Sequence, residues 1–222
     1  MTSPFDVATL DLFRDTSPGQ HESLGPAACV LRGHALPWME ALLPAIERIA
    51  AAAPFRQLTT PGGGLMSVAL TGCGSLGWTS DEYGYRYSRL NPESGKPWPA
   101  MPDAFTELAR DAAAAAGFAD FTPNACLINR YRPGSRMGLH QDKNERDTQA
   151  PIVSVSLGMP AVFLFGGFKR SDPAARVPLY HGDVAVWGGA DRMRYHGVMP
   201  LQDFPHPRLQ RQRLNLTFRW VA

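Results

Sequence analysis

The stretch Asn129-Arg130-Tyr131-Arg132-Pro133-Gly134-Ser135-Arg136-Met137-Gly138-Leu139-His140-Gln141-Asp142 sets an Asn-x-Tyr pair shortly before a His-x-Asp pair. On an extended backbone, residues two apart leave the same face. His140 and Asp142 can therefore grip one ion, and Asn129 and Tyr131 can offer an amide and a phenol to one ligand. His196 further along supplies a third metal donor. Two imidazoles and a carboxylate on one face of an octahedron hold ferrous iron and leave three positions for substrates and oxygen. The same donors also bind zinc, so ligand type alone leaves the metal open.

A second His-x-Asp, His181-Gly182-Asp183, stands at the mouth of an apolar run, Val184 to Trp187, where a turn aspartate is expected. His21, His34 and His206 have no neighbours at ligand spacing and are read as surface or structural.

Near the end, Arg213, Asn215, Thr217 and Arg219 alternate with Leu214, Leu216, Phe218 and Trp220. A strand there puts two arginines on one face, which is costly unless an anion compensates them. A dicarboxylate suits, because guanidinium forks bind carboxylates bidentately. Surface ion pairs are the alternative.

Outside these motifs, residues 1–25 read as a polar arm with a small apolar cluster at Leu10, Leu12 and Phe13. Ala28 to Leu31 reads as a strand. Apolar residues at helical spacing predict a helix over Leu36 to Ala53, with Pro37 in its first turn and a kink or late start at Pro44. A second helix is expected from Pro102 to Ala116, ended by Gly117. Between them, Gly77-Trp78 and Tyr83-Gly84-Tyr85-Arg86-Tyr87 predict a hairpin. After residue 122, seven short β-type runs separated by Gly and Pro predict a double-sheet roll.

The 222 residues suit one domain, and 44% apolar with 19% charged residues excludes extended disorder. A net charge of +2 selects no partner. Three scattered cysteines without a C-x-x-C pair point to a reducing cytosol, and no apolar run reaches membrane-spanning length.

Asn129-x-Tyr131, His140-x-Asp142, His196 and Arg213-x-Asn215-x-Thr217-Phe218-Arg219, in that order, resemble the AlkB family of iron(II)/2-oxoglutarate nucleic-acid dealkylases. The likeness extends to Thr60-Pro61-Gly62-Gly63, Leu76-Gly77-Trp78, Lys96-Pro97-Trp98-Pro99, Ala150 to Gly158 and Asp183 to Gly189, over roughly residues 10–221.

The resemblance implies a mainly β fold with flanking helices (α+β), a double-stranded β-helix or jelly roll. In that expectation residues 1–121 form the arm, helices and nucleotide-recognition lid, and residues 122–222 the catalytic core of a single domain. His140, Asp142 and His196 would hold Fe(II). Arg213 would hold the distal carboxylate of 2-oxoglutarate, with Asn129, Tyr131, Asn215 and Arg219 around it. O2 is the other cosubstrate, and formaldehyde, succinate and carbon dioxide the products.

A base within a duplex is out of reach of a buried metal, so it must be extruded or presented on a single strand. Trp78 would stack on it, opposite His140, since an indole face favours a cationic methylated base. Tyr85 and Tyr87 would belong to the lid, and Arg170 would reach toward the base. Lys143 and Arg136 are further cations near the same motifs. Asn144 stands where the family has a base-contacting aspartate, which removes a negative charge opposite a cationic base. The implied partners are single- or double-stranded DNA with alkylated bases, with RNA as a second candidate. A cytoplasmic monomer is expected. The competing functions are a hydroxylase of the same chemistry acting on a protein or metabolite, and a noncatalytic roll that senses a ligand.

Overall fold

Alternation in Arg213–Arg219 organises the molecule, described over residues 18–221 in a computed structural model. This strand lies between Ile152–Gly158 and Ala125–Tyr131 in an eight-stranded sheet. In chain order the strands are β1 His21–Gly25, β2 Ala28–Leu31, β3 Arg56–Thr59, β4 Leu65–Gly74, β5 Gly77–Asp81, β6 Gly84–Ser88, β7 Ala125–Tyr131, β8 Met137–His140, β9 Ile152–Gly158, β10 Ala161–Phe165, β11 Ala175–Leu179, β12 Val184–Trp187, β13 His196–Val198 and β14 Arg213–Arg219. The large sheet runs β1-β2-β12-β9-β14-β7-β4-β3, and a smaller one β11-β10-β13-β8. The β5–β6 hairpin pairs with neither sheet but packs beside β3 and β4, with Ser80 Oγ donating to Thr59 O. All pairings are antiparallel, and the two facing sheets make the expected double-stranded β-helix.

The two faces of the large sheet differ because the sequence alternates. Leu214, Leu216 and Phe218 join Ile128, Val153 and Val155 in a buried layer under the helices α1, Met39–Ala52, and α2, Asp103–Ala115. Each helix presents an apolar stripe to this layer: Met39, Leu42, Ile46 and Ile49 on α1, and Phe105, Leu108 and Ala112 on α2. The opposite face meets the small sheet. One end of that interface is apolar, with Phe163, Phe165, Val177 and Leu179 against Val30, Ile152 and Trp187. Tyr131, Met159, Ala161 and Val198 form a second apolar cluster.

The predicted helices and the seven late strands are present, with ends shifted by a few residues. Gly117 closes α2 in a left-handed conformation, φ 90°, with Gly117 N donating to Ala114 O and Phe118 N to Ala113 O. Three readings need correction. Of the two options read at Pro44, the late start is excluded: α1 begins at Met39, after a 3-10 turn at Leu36–Trp38, and runs through Pro44. Burial of Leu42, Ala45 and Ile46 on either side offsets the lost backbone bond. The arm expected over residues 1–25 is a strand from His21, paired with β2; the Leu10, Leu12 and Phe13 cluster lies outside the described residues. Trp220, expected to continue the apolar face, follows the strand end and is 38% exposed. Strands β1 to β4 enter the large sheet, so the first 121 residues contribute to the sheet that carries β14.

Candidate metal and cosubstrate site

Strand pairing brings the distant histidines together. His196 is the direct cross-strand partner of His140 in the β13–β8 ladder. Gly197 lets the strands approach, because a Cβ there would meet Met137 O at 2.7 Å and Gly138 O at 3.2 Å. Asp142 follows β8 and turns back toward both rings. One donor atom from each of His140, Asp142 and His196 lies within 4.8 Å of the others.

Backbone carbonyls orient the rings. His140 Nδ1 is 2.8 Å from Gly138 O, and His196 Nδ1 is 3.0 Å from Arg194 O. A carbonyl only accepts, so each Nδ1 carries the proton. Nε2 of each ring is thereby turned toward Asp142, at 3.6 Å for His140 and 3.7 Å for His196, and in the neutral ring it carries the lone pair that a metal would take. Burial, with His196 beside it, lowers the His140 pKa, which favours the neutral ligand form. Burial would raise the Asp142 carboxyl, but the Arg219 guanidinium and the two imidazoles hold it well below the usual carboxylate range. Arg219 Nη2 donates to Asp142 Oδ2 at 2.5 Å. The three donors are thus grouped closely enough to take one divalent cation, with the Asp142 carboxylate held ionised.

Beside it, Arg213 is 1% exposed. Its Nη2 donates to Ser156 Oγ at 2.9 Å and its guanidinium lies 5.0 Å from the Tyr131 ring centroid. Nε and Nη1 have no hydrogen-bond partner among the described residues, and no carboxylate pairs with this guanidinium there. Burial lowers its pKa, with only Tyr131 opposing. A buried, half-satisfied guanidinium is strongly destabilising unless an anion completes it. The donor set therefore fits a carboxylate next to the metal donors.

Asn215 braces this floor. Its Nδ2 donates to Ser154 Oγ at 2.8 Å and Val155 O at 3.0 Å, while Oδ1 accepts from Asn129 Nδ2 and Thr217 Oγ1, both at 3.1 Å. The amide of Asn215 is thus engaged by the protein itself.

These groups open into one cavity of about 700 Å³, within the usual range for small-ligand sites. Trp78, Tyr85, Asn144 and Arg170 also line it, as do Lys143 and Arg136. Trp78 and Tyr85 are stacked, ring centroids 5.4 Å apart at 16°. Asn144 Nδ2 is 3.5 Å from Tyr85 O, and Arg170 lies 5.5 Å over the Tyr195 ring.

Tyr87 does not line the cavity. Its hydroxyl donates to Glu145 Oε1 and accepts from Arg219 Nη1 at 3.2 Å, below the cavity floor. Burial, against the pull of Arg219, raises its pKa. Asp183 takes the expected turn role, accepting from Tyr180 N and Gly33 N, each at 2.9 Å. Unexpectedly, it also pairs with the buried Arg32 at 2.6 Å.

Sequence reasoning missed Glu145 and Arg192, a pair buried behind Asp142 at 2.9 Å. Glu145 lies three residues past Asp142, but nothing in that spacing announces burial. Arg192 carries no motif signal.

The family description "2OG-Fe(II) oxygenase superfamily" matches residues 30–219. The chain is 56% identical over 213 residues to the alpha-ketoglutarate-dependent dioxygenase AlkB of Salmonella typhimurium, covering 96% of this chain and 98% of that one. It is also 56% identical to the protein of the same name in Escherichia coli K12, covering 95% and 97%. The solved structure of OsALKBH1 superposes with a TM-score of 0.77 at 27% identity, covering 90% of this chain and all of that one.

Proposed function

Because this chain belongs to the AlkB family within the 2OG-Fe(II) oxygenase superfamily, we propose that it repairs N-alkylated nucleobases by oxidative dealkylation. The observation that carries the reading is the meeting of His140, Asp142 and His196 with the uncompensated Arg213 and the aromatic Trp78 in one cavity.

The enzyme is an Fe(II)- and 2-oxoglutarate-dependent dioxygenase. Bound iron, with 2-oxoglutarate and O2, supplies the oxidising power that hydroxylates the alkyl carbon; the hydroxylated group leaves as formaldehyde, with succinate and carbon dioxide as coproducts. The protein's part is placement. In this proposal His140, Asp142 and His196 hold the metal, the rings oriented by main-chain carbonyls at Nδ1 and the carboxylate kept ionised. Arg213 takes the distal carboxylate of 2-oxoglutarate through its free N–H groups, and Tyr131 and Asn129 border that carboxylate. Arg219 keeps Asp142 ionised, and Asn215 keeps the floor rigid.

Trp78 takes one face of the extruded base, with His140 near the other. Tyr85, stacked on Trp78, yields or slides to admit it. Arg170, Asn144 and Lys143 meet the base rim or the strand. We further propose single-stranded or locally opened DNA as the substrate, with 1-methyladenine and 3-methylcytosine as lesions and RNA accepted as well. A cytoplasmic monomer of one domain, with residues 1–121 supplying the lid and residues 122–222 most of the catalytic core, completes the reading.

Formaldehyde release from a methylated oligonucleotide, dependent on both iron and 2-oxoglutarate, tests the proposal. 2-Oxoglutarate turnover confined to a protein or metabolite substrate would instead select the hydroxylase alternative.

A further inference from the structure

Behind the metal donors lies a second charged group outside the roles proposed above. The carboxylate of Glu145 and the guanidinium of Arg192 are each 2% exposed. Arg192 Nη2 donates to Glu145 Oε2 at 2.9 Å, and its Nη1 donates to the main-chain carbonyl of Asp142 at 2.6 Å. The other carboxylate oxygen of Glu145 accepts the Tyr87 hydroxyl and lies 3.5 Å from Arg219 Nε. Arg219 in turn donates to Tyr87 and to Asp142.

Three separate chain segments thus meet at Glu145: the β5–β6 hairpin through Tyr87, the end of β14 through Arg219, and the approach to β13 through Arg192. Burying one carboxylate between two guanidinium groups is a poor way to gain stability, because desolvation offsets much of the attraction. Its geometric effect is specific. Arg192 holds the backbone of Asp142 by a hydrogen bond, while Glu145 lies beside the Arg219 guanidinium and is joined to it through the Tyr87 hydroxyl.

The hairpin end of this network carries the stacking residue. Trp78 is the direct cross-strand partner of Tyr87, and Tyr85, two residues from Tyr87, stacks on Trp78. Trp78 and Tyr87 are paired through the backbone of the hairpin, so a shift of β5 under Trp78 is passed across the ladder to Tyr87 and, through its hydroxyl, to Glu145 and Arg219.

We propose that Glu145 and Arg192 are positioning residues that set Asp142 and Arg219, and that Tyr87 joins them to the hairpin so that a base docked on Trp78 tightens the metal and cosubstrate pocket. This rests on the nucleobase reading above and adds a coupling between its two halves.

The experiment uses full-length protein loaded with Mn(II), so that no turnover is needed. Affinity for 2-oxoglutarate is measured by titration calorimetry with and without a short single-stranded oligonucleotide containing 3-methylcytosine. Wild type is expected to bind 2-oxoglutarate at least about fivefold more tightly with the oligonucleotide, and reciprocally. In Tyr87→Phe that factor falls to about one, while 2-oxoglutarate alone binds within about threefold of wild type. Glu145→Gln weakens Mn(II) binding about 10- to 100-fold. Hydrogen exchange of the metal-free Tyr87→Phe protein shows faster opening of β5 and β6.

An unchanged factor in Tyr87→Phe, or no factor in wild type that does bind the oligonucleotide, overturns the coupling and leaves the nucleobase reading standing. Failure of wild type to bind the oligonucleotide at all overturns both. A Glu145→Gln protein that melts lower yet binds Mn(II) like wild type shows a merely structural pair and removes the positioning role.

Discussion

His140 and His196 face each other across the β8–β13 ladder, ring centroids 4.4 Å apart, each with Nδ1 tied to a main-chain carbonyl. The candidate metal site is therefore built by strand register. Replacing His196 by Ala should reduce Mn(II) affinity by more than the roughly 10- to 100-fold caused by losing an outer partner, with the far-ultraviolet circular dichroism spectrum retained. Calorimetric Mn(II) titration of both proteins checks this.

In the proposed reading, Arg213 sets function against stability. Its buried charge has no anionic partner among the described residues, so Arg213→Met should raise the melting temperature of the metal-free protein while abolishing 2-oxoglutarate binding. Arg213→Lys keeps the charge but loses the fork. It should raise the 2-oxoglutarate Kd by about 1.5–3 kcal/mol, roughly 10- to 150-fold. Calorimetry and differential scanning measure both effects.

Much of this was legible in the sequence because period-two alternation marks a strand's two faces. Arg213, Asn215, Thr217 and Arg219 were placed on one face from spacing alone, and β14 puts them there. His196 was nominated as the third donor from its chemistry and supported by the resemblance, but its register opposite His140 could not be read, since spacing cannot say which distant strands become neighbours. Tyr87 escaped because a hairpin tyrosine reads as exposed until Glu145 and Arg219 are seen beneath it. The alternative of a late start at Pro44 failed because tertiary burial outweighs local propensity.

Trp78→Ala should weaken binding of a methylated oligonucleotide by about 1–3 kcal/mol, and Trp78→Phe by less. Binding of 2-oxoglutarate without the oligonucleotide should be unchanged. Fluorescence anisotropy and calorimetry separate the two. Equal oligonucleotide affinity in Trp78→Ala would refute the stacking role.

Asn144→Asp restores a negative charge at the cavity rim. It should raise the rate on cationic 1-methyladenine and 3-methylcytosine relative to a neutral etheno adduct. Unchanged rate ratios would rule out a charge role for this position.

Acid should destabilise the fold partly through His181. Burial, with His206 and Arg208 nearby, lowers its pKa to about 4, and its Nδ1 accepts the amide of Gly158 at 3.0 Å. The unfolded chain, with an ordinary histidine pKa near 6.5, binds the proton first. Stability contributed by the neutral ring is present above about pH 6.5 and is lost as pH falls toward 4. His181→Gln should flatten the dependence of melting temperature on pH across that window; an unchanged slope would exclude His181 as its source.

The central claim is tested most directly by incubating the iron-loaded protein with a single-stranded oligonucleotide containing 3-methylcytosine and measuring formaldehyde with and without 2-oxoglutarate. The account predicts stoichiometric formaldehyde and unmodified cytosine only when iron and 2-oxoglutarate are both supplied, and none from Asp142→Ala. Demethylation that proceeds equally without 2-oxoglutarate, or an oligonucleotide left intact while 2-oxoglutarate is consumed on another substrate, would contradict it.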